Sequence, residues 1–172
     1  QAGVAEHEAL QAVAEKKLLK VFNQAKSGKI SGEAFKHKFQ RALVQAYEDS
    51  FRSGKGDEKL SNRDRRWINS FAGKQFDFLE GFADAVDVGD PAAHEGRVKL
   101  YAGSVKAAYW QGAVSDYDSP IDWVLGENDN NCDDCVEMEA NSPYDPGDLY
   151  TTPGAGDTAC LGNCHCTLVE VI

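Results

Sequence analysis

The cysteines of this chain are concentrated near its C-terminal end, where their spacing could support metal chemistry. All five fall within residues 132–166: a C-x-x-C pair opens the stretch and a C-x-C pair closes it about thirty residues later. Paired cysteines at such separations are typical of structural zinc sites, in which four thiolates surround the ion at about 2.3 Å. The predicted ligands are Cys132, Cys135, Cys164 and Cys166, with Cys160 and His165 as substitutes.

Two other states of these cysteines remain open at the level of sequence. Disulfides would require an oxidising compartment and would leave one of the five thiols over. Alternatively, the thiols are reduced and half-buried. Redox catalysis is disfavoured because Asp133 and Asp134 lie within the C-x-x-C pair, and acidic neighbours raise a thiol pKa.

No other constellation of residues supports a catalytic site. Gly154–Thr158 lacks the lysine and the following helix of a phosphate-binding loop. The acidic residues around the C-x-x-C pair lack the spacing and central glycine of an EF-hand. A zinc ion held by four thiolates also has no open position for water. We therefore expect that this chain is not an enzyme.

Two short strands are predicted to position the cysteines. Residues 121–125 and 167–171 are rich in β-branched and aromatic side chains, and each segment adjoins one cysteine pair. Antiparallel pairing of these strands would bring the two pairs together. The module at 116–172 has few large apolar side chains between its strands, so a metal or disulfide cross-link would supply stability that its core cannot.

The preceding part of the chain predicts four helices joined by short turns. Apolar stripes of helical period run through 4–26, from Ser31 to Gly54, from Ser61 to about residue 88, and through 91–113. Ser31 is a predicted N-cap, and Ser61 opens a capping-box variant. The predicted fold is mainly α: an antiparallel helical bundle in domain 1–115, followed by a small Cys-rich, β-containing module in domain 116–172.

Charge is distributed unevenly between these two parts. The first 115 residues carry 18 basic and 15 acidic side chains, whereas residues 116–172 carry 13 acidic and no basic ones. Such a module would repel a phosphate backbone, so it is not a nucleic-acid-binding zinc finger. Its acidity favours a basic protein partner or cations, or it simply forms a solvated surface. No apolar run is long enough to span a membrane.

The module also resembles a known family. Trp123-Val124-Leu125-Gly126, the CDDC pair and TTPGAGDTACLGNCHCTLVEV are similar to the C-terminal module of phage head morphogenesis (minor head, Mu F-like) proteins. The resemblance covers about a third of the chain. Many relatives carry histidine and proline before the final N-C-x-C, where this chain has Cys160-Leu161-Gly162. The matching residues are Trp123, Cys132, Cys135, Pro153, Gly154, Asn163, Cys164 and Cys166.

The resemblance implies a structural virion protein. Such a protein would contact capsid or portal proteins within an oligomeric assembly, touch packaged DNA weakly, have no membrane association, and assemble in the host cytoplasm before residing in the virion. Two alternatives belong to other classes: a zinc-dependent adaptor that binds a basic protein, and the non-catalytic part of an effector or toxin.

Overall fold

A computed structural model describes residues 2–56, 59–90, 93–127 and 131–171, with side chains from residue 5 onward. The predicted start of the fourth helix at Pro91 lies outside these ranges. A short 3-10 turn, Leu161–Asn163, precedes the last strand. The described helices and strands are α1 (Ala2–Lys26), α2 (Gly32–Gly54), α3 (Asn62–Asp87), α4 (Glu95–Gly103), α5 (Val105–Val114), β1 (Ile121–Val124), α6 (Asp133–Ala140) and β2 (Thr167–Glu170).

Two predicted serine caps begin the helices α2 and α3. The Ser31 hydroxyl accepts a hydrogen bond from the Ala34 N–H at 3.3 Å. At α3, the Ser61 hydroxyl accepts from the Asp64 N–H at 3.2 Å, and the Asp64 carboxylate accepts from the Ser61 N–H at 2.8 Å. These bonds satisfy N–H groups that have no partner inside the helix, so both predicted helix starts are confirmed.

Helix α2 lies at the centre of the bundle and packs against α1, α3 and α5. Its stripe of large side chains is fully buried, as its helical spacing predicts. Phe35 and Phe39 meet Phe82 of α3 edge-on, with ring centroids 5.5 and 6.2 Å apart. Phe22 of α1 stacks on the same Phe82 ring at 5.6 Å. Aromatic contacts from three helices therefore form the centre of the core.

The crossing of α2 and α5 is close enough to require two glycines. A Cβ atom built on Gly54 would lie 2.0 Å from the carbonyl oxygen of Tyr109. A Cβ atom on Gly112 would lie 2.1 Å from the carbonyl oxygen of Phe51. Because both neighbours are backbone atoms, neither can move aside independently. Gly54 thus ends α2 and also allows α5 to approach it.

The predicted fourth helix is divided in two at Ser104. The Ser104 hydroxyl bonds to the carbonyl oxygen of Tyr101 at 2.7 Å and lies 2.7 Å from the Tyr47 hydroxyl. The hydroxyl of Ser50 donates to the Val105 carbonyl at 2.9 Å. At the junction, side chains of α2 therefore form hydrogen bonds with the Ser104 hydroxyl and the Val105 carbonyl. Two helices, α4 and α5, accordingly replace the single helix expected over 91–113.

The two strands pair antiparallel, as predicted. Trp123 faces Leu168 across the sheet, and Val124 faces Thr167. Ile121, Trp123 and Leu168 are buried, and they form a second apolar cluster with Tyr109 and Trp110 of α5. Strand alternation therefore directs one side of the sheet against α5.

Helix α6 was not predicted. It places Asp133 and Asp134 in its first turn, where negative charge interacts favourably with the positive end of the helix dipole. The mainly helical fold class, with a small sheet in a Cys-rich C-terminal region, is confirmed. Within the described ranges, every helix is too short or too polar to cross a lipid bilayer.

Candidate metal centre

The backbone brings the cysteines together from three local structures. Cys132 is the N-cap residue of α6, and Cys135 lies in the first turn of that helix. Cys160 and Cys164 flank the 3-10 turn. Cys166 directly precedes β2, whose pairing with β1 places this end of the chain beside α6. The helix start, the turn and the strand start therefore meet in one place.

The five sulfur atoms form two overlapping groups that share Cys135. In each group, the Sγ atoms all lie within 4.8 Å of one another. The Sγ atom of Cys135 is 3.5 Å from that of Cys160 and 3.7 Å from that of Cys164. All five cysteines are free, because none lies at disulfide-bonding distance. The first group is Cys132, Cys135 and Cys160, and the second is Cys135, Cys164 and Cys166.

These separations fit metal coordination. Four thiolates at about 2.3 Å from a tetrahedral ion lie about 3.8 Å from one another. The two measured separations around Cys135 are close to that value. Each group can therefore offer three sulfur ligands to a metal ion. The predicted set Cys132, Cys135, Cys164 and Cys166 spans both groups, because Cys132 shares no group with Cys164 and Cys166 among the described residues.

Hydrogen-bond donors around two of the sulfurs favour thiolates. Burial alone would raise the pKa of Cys132, but hydrogen bonds from the Cys135 backbone and from the other group members outweigh it and lower that pKa. Hydrogen bonding from Cys164 lowers the pKa of Cys166 to about 6, against the effect of burial. The Gly126 N–H contributes to this lowering. Backbone donors of this kind stabilise the charged form that binds a metal.

Trp123 adds a further donor at the same sulfur. Its indole N–H is buried and forms no well-aligned hydrogen bond among the described residues. The N–H group lies beside the Cys166 sulfur, however, and its interaction with that sulfur helps to lower the pKa of the thiol. A buried indole N–H usually finds an acceptor. A thiolate at Cys166 is the acceptor that this position offers.

The other two central thiols hold their protons more strongly. Burial raises the pKa of Cys135, and the sulfur neighbours raise it further. For Cys164, the hydrogen bond shared with Cys166 raises the pKa, and burial adds to the effect. A metal ion binding to these sulfurs would displace their protons, so binding is expected to strengthen as pH rises.

Lys106 of α5 reaches the same region from the bundle. Its side chain is 5% exposed, and its ammonium group donates a hydrogen bond to the carbonyl oxygen of Cys164. The pKa of Lys106 is lowered by burial, and the nearby Cys164, Glu8 and Cys166 only partly counteract this effect. A positive charge here would offset part of the negative charge of several thiolates.

Sequence reasoning did not assign this role to Lys106, although a signal was present. Lys106 is the last lysine or arginine of the chain, and it interrupts the otherwise apolar or small run Val105–Trp110. A charged residue inside such a run is rarely buried without a partner. Its partner belongs to the module, more than fifty residues away in sequence, so no local pattern identifies it.

His165 lies apart from the sulfur groups. Its side chain is exposed, and it lines a groove between α5 and the sheet with Tyr117 and Glu170. Neither of the cysteine groups found among the described residues includes its ring nitrogens within 4.8 Å. Cys160 does belong to such a group, so these two substitute ligands occupy different positions relative to the metal centre.

Basic side chains around the turn between α2 and α3 are partly paired with carboxylates. Lys55 lies 3.2 Å from Asp64 and 3.3 Å from Asp116. Arg65 lies 2.9 Å from Glu48. The Lys55–Asp116 contact also connects the end of α2 to the segment between α5 and β1. These ion pairs reduce the positive charge available to an external partner.

In comparisons with known proteins, no family model, no curated protein and no solved structure matches this chain.

Proposed function

We propose that this chain is a structural protein of a phage particle, a minor head or head morphogenesis protein, whose C-terminal module is held together by zinc. The observation that carries the proposal is the pair of overlapping sulfur groups centred on Cys135. They unite the C-x-x-C and N-C-x-C motifs on which the resemblance to that family rests.

Zinc would be held by four of the five thiolates. Cys132, Cys135, Cys164 and Cys166 are the proposed ligands, and Cys160 is the substitute that shares a group with Cys132. Bound zinc would supply a structural cross-link and no reactive position, because four thiolates complete its coordination. The module would then serve as a stable docking unit for capsid or portal subunits.

The first experiment tests the metal. The protein is purified under reducing conditions, its metal content is measured, and free thiols are counted before and after chelation. About one zinc per chain, with four thiols released by the chelator, supports the site. Fewer than five free thiols in denatured, metal-free protein would instead establish disulfides and contradict the zinc proposal.

A second experiment tests the virion assignment. The chain, tagged at its N-terminus, is expressed during phage assembly, and purified particles are tested for the tagged protein. Co-purification with heads or portals supports the proposal, and a Cys135→Ser variant is expected to be lost from the particles. Absence of the unaltered chain from particles would count against a structural virion role.

A zinc-dependent adaptor is the second candidate, favoured by the exposed acid-rich side of α6. Asp133, Asp134, Glu137 and Glu139 are all exposed. An adaptor of this kind would bind a basic protein in a salt-dependent manner. Recovery of the zinc-loaded chain with a basic host protein, but never with particles, would favour this function over the virion role.

A further inference from the structure

A cavity lies between the bundle and the C-terminal module. It has a volume of about 610 Å³ and is lined by α3, α4, the glycine-rich loop at 154–157 and the 3-10 turn. Volumes of this size are typical of sites that bind a small molecule or a few side chains. The cavity is separate from the sulfur groups, although Leu161 lies between Cys160 and Cys164 in sequence.

Three large apolar side chains around this cavity remain exposed. Phe78 of α3 is 67% exposed, Leu100 of α4 is 46% exposed, and Leu161 of the turn is 51% exposed. They come from three separate segments, so the apolar surface is created by the fold. Contiguous exposed apolar surface of this kind often marks a binding site.

Two hydrogen-bond donors that have no acceptor in the described part of the chain lie at the same cavity. The Tyr101 hydroxyl is buried and donates to no acceptor among the described residues, whereas Arg97, which also lines the cavity, interacts with its oxygen as a donor. Burial raises the pKa of Tyr101 to about 12, so its hydroxyl stays protonated. Lys74 is exposed and forms no ion pair within the described part of the chain. Both groups can donate to an acceptor oxygen.

Two carboxylates also line the cavity, and neither uses these donors. Asp157 accepts a hydrogen bond from the Thr151 hydroxyl at 2.9 Å. Asp77 lies on the exposed side of α3 and makes no ion pair with Lys74 in the described structure. The donors of Lys74 and Tyr101 are therefore left for a ligand.

The backbone at Leu161 gives an independent indication. Leu161 has a φ of 52°, and it is the single non-glycine residue with positive φ in the described ranges. A left-handed conformation costs a bulky residue about 1–2 kcal/mol relative to its usual regions. Glycine would avoid this cost, so the backbone conformation alone does not explain why leucine occupies this position. Its side chain instead completes the apolar wall of the cavity.

We propose that this cavity binds the C-terminal residue of a partner polypeptide. A leucine or phenylalanine side chain would lie among Phe78, Leu100 and Leu161, and its terminal carboxylate would accept hydrogen bonds from Lys74 and Tyr101. Because Phe78 and Leu161 stay more than half exposed, preceding residues of the partner can also contact them, which a small acid cannot do. This inference rests on neither zinc nor the virion role.

Three probes test this assignment by titration of the isotope-labelled full chain, followed by NMR. They are the peptide N-acetyl-Ala-Ala-Leu-Phe with a free carboxylate, the same peptide with a C-terminal amide, and N-acetylphenylalanine. We expect saturable shifts at the cavity with the free acid, and binding at least about tenfold weaker for the other two probes. Equal binding of the amide, tightest binding of N-acetylphenylalanine, or no binding of the free acid would each overturn the proposal.

Two variants locate the binding. Leu161→Gly removes part of the apolar wall and also relieves the backbone, so it should fold at least as stably while binding about tenfold more weakly. Lys74→Gln should abolish the preference for the free acid over the amide. Lys99→Gln on α4 and Val88→Ser after α3, which replace exposed side chains that do not line the cavity, are the matched controls. Unchanged binding in Leu161→Gly, or weakening in the controls, would overturn the assignment.

Discussion

The ammonium group of Lys106 donates a hydrogen bond to the carbonyl oxygen of Cys164, so the last lysine of the chain is buried against a module that contains no lysine or arginine. This contact connects α5 directly to the sulfur groups. It also places a positive charge where metal-bound thiolates would accumulate negative charge.

Lys106→Met tests this connection. Methionine keeps most of the side-chain volume and removes the charge and the donor. We expect zinc affinity to fall by about tenfold, as is usual for residues that support metal ligands. Competition with a chromophoric chelator measures the affinity. Lys99→Met, an exposed lysine on α4, is the control. Equal affinities for Lys106→Met and the unaltered protein would show that the buried charge does not support the site.

The shared position of Cys135 gives a ranking of cysteine variants. Cys135→Ser removes a ligand from both sulfur groups, so zinc affinity should fall by about a hundredfold or more. Cys160→Ser should cost less, because the four proposed ligands remain. Zinc content after gel filtration measures both effects. If Cys160→Ser loses more bound zinc than Cys132→Ser does, then Cys160 rather than Cys132 is the fourth ligand.

The α2–α5 crossing predicts opposite effects for different glycines. Gly112→Ala would place a Cβ atom against the Phe51 carbonyl, so we expect a loss of about 3 kcal/mol in unfolding free energy. Gly73→Ala in α3 meets nothing within 4 Å and should stabilise the protein by about 0.5–1 kcal/mol through helix propensity. Urea denaturation measures both changes. A stable Gly112→Ala variant would contradict the close approach of these helices.

His7 predicts a pH dependence of stability. Its ring is buried against Tyr109 and Trp110, with ring centroids 5.8 Å from each. Burial lowers the pKa of His7 to about 4, and the positive charges of Lys106 and His165 add to this effect. The unfolded chain takes up this proton near pH 6.5, before the folded protein does. The contribution of neutral, buried His7 to folding stability is therefore fully present above pH 6.5 and is lost as pH falls toward 4.

A His7→Phe variant isolates this contribution. The unaltered protein should lose on the order of 2 kcal/mol more than the variant between pH 7 and pH 4. His37→Gln, on the exposed side of α2 beside Glu33, is the control and should behave like the unaltered protein. Chemical denaturation at each pH gives the difference in unfolding free energy between the two proteins. Contributions of carboxylates and thiols are the same in both proteins and therefore cancel in this difference. Parallel pH curves for the unaltered protein and His7→Phe would refute the role of His7.

Features that depend on neighbouring residues were predictable from sequence. Ser31 and Ser61 cap helices through bonds to residues three positions away. The strand pairing followed from two apolar segments that each adjoin a cysteine pair. The meeting of the cysteines was predicted for the same reason.

Features that depend on distant contacts were not predictable. The break at Ser104 involves Tyr47 and Ser50, more than fifty residues away. The role of Lys106 depends on Cys164, at a similar separation. Helix α6 is short, with Cys135 and Met138 as its buried residues, and is too brief to show a helical period. Its acidic first turn was the available signal.

The glycine pair at the α2–α5 crossing also has a meaning for evolution. Gly54 and Gly112 each face backbone atoms of the opposite helix, so a substitution at one position cannot be accommodated by a change in a single side chain at the other. Divergent descendants that keep this crossing should therefore retain glycine at both positions while their surface loops change freely. Loss of either glycine in a homologue would mark a lineage in which the two helices have moved apart.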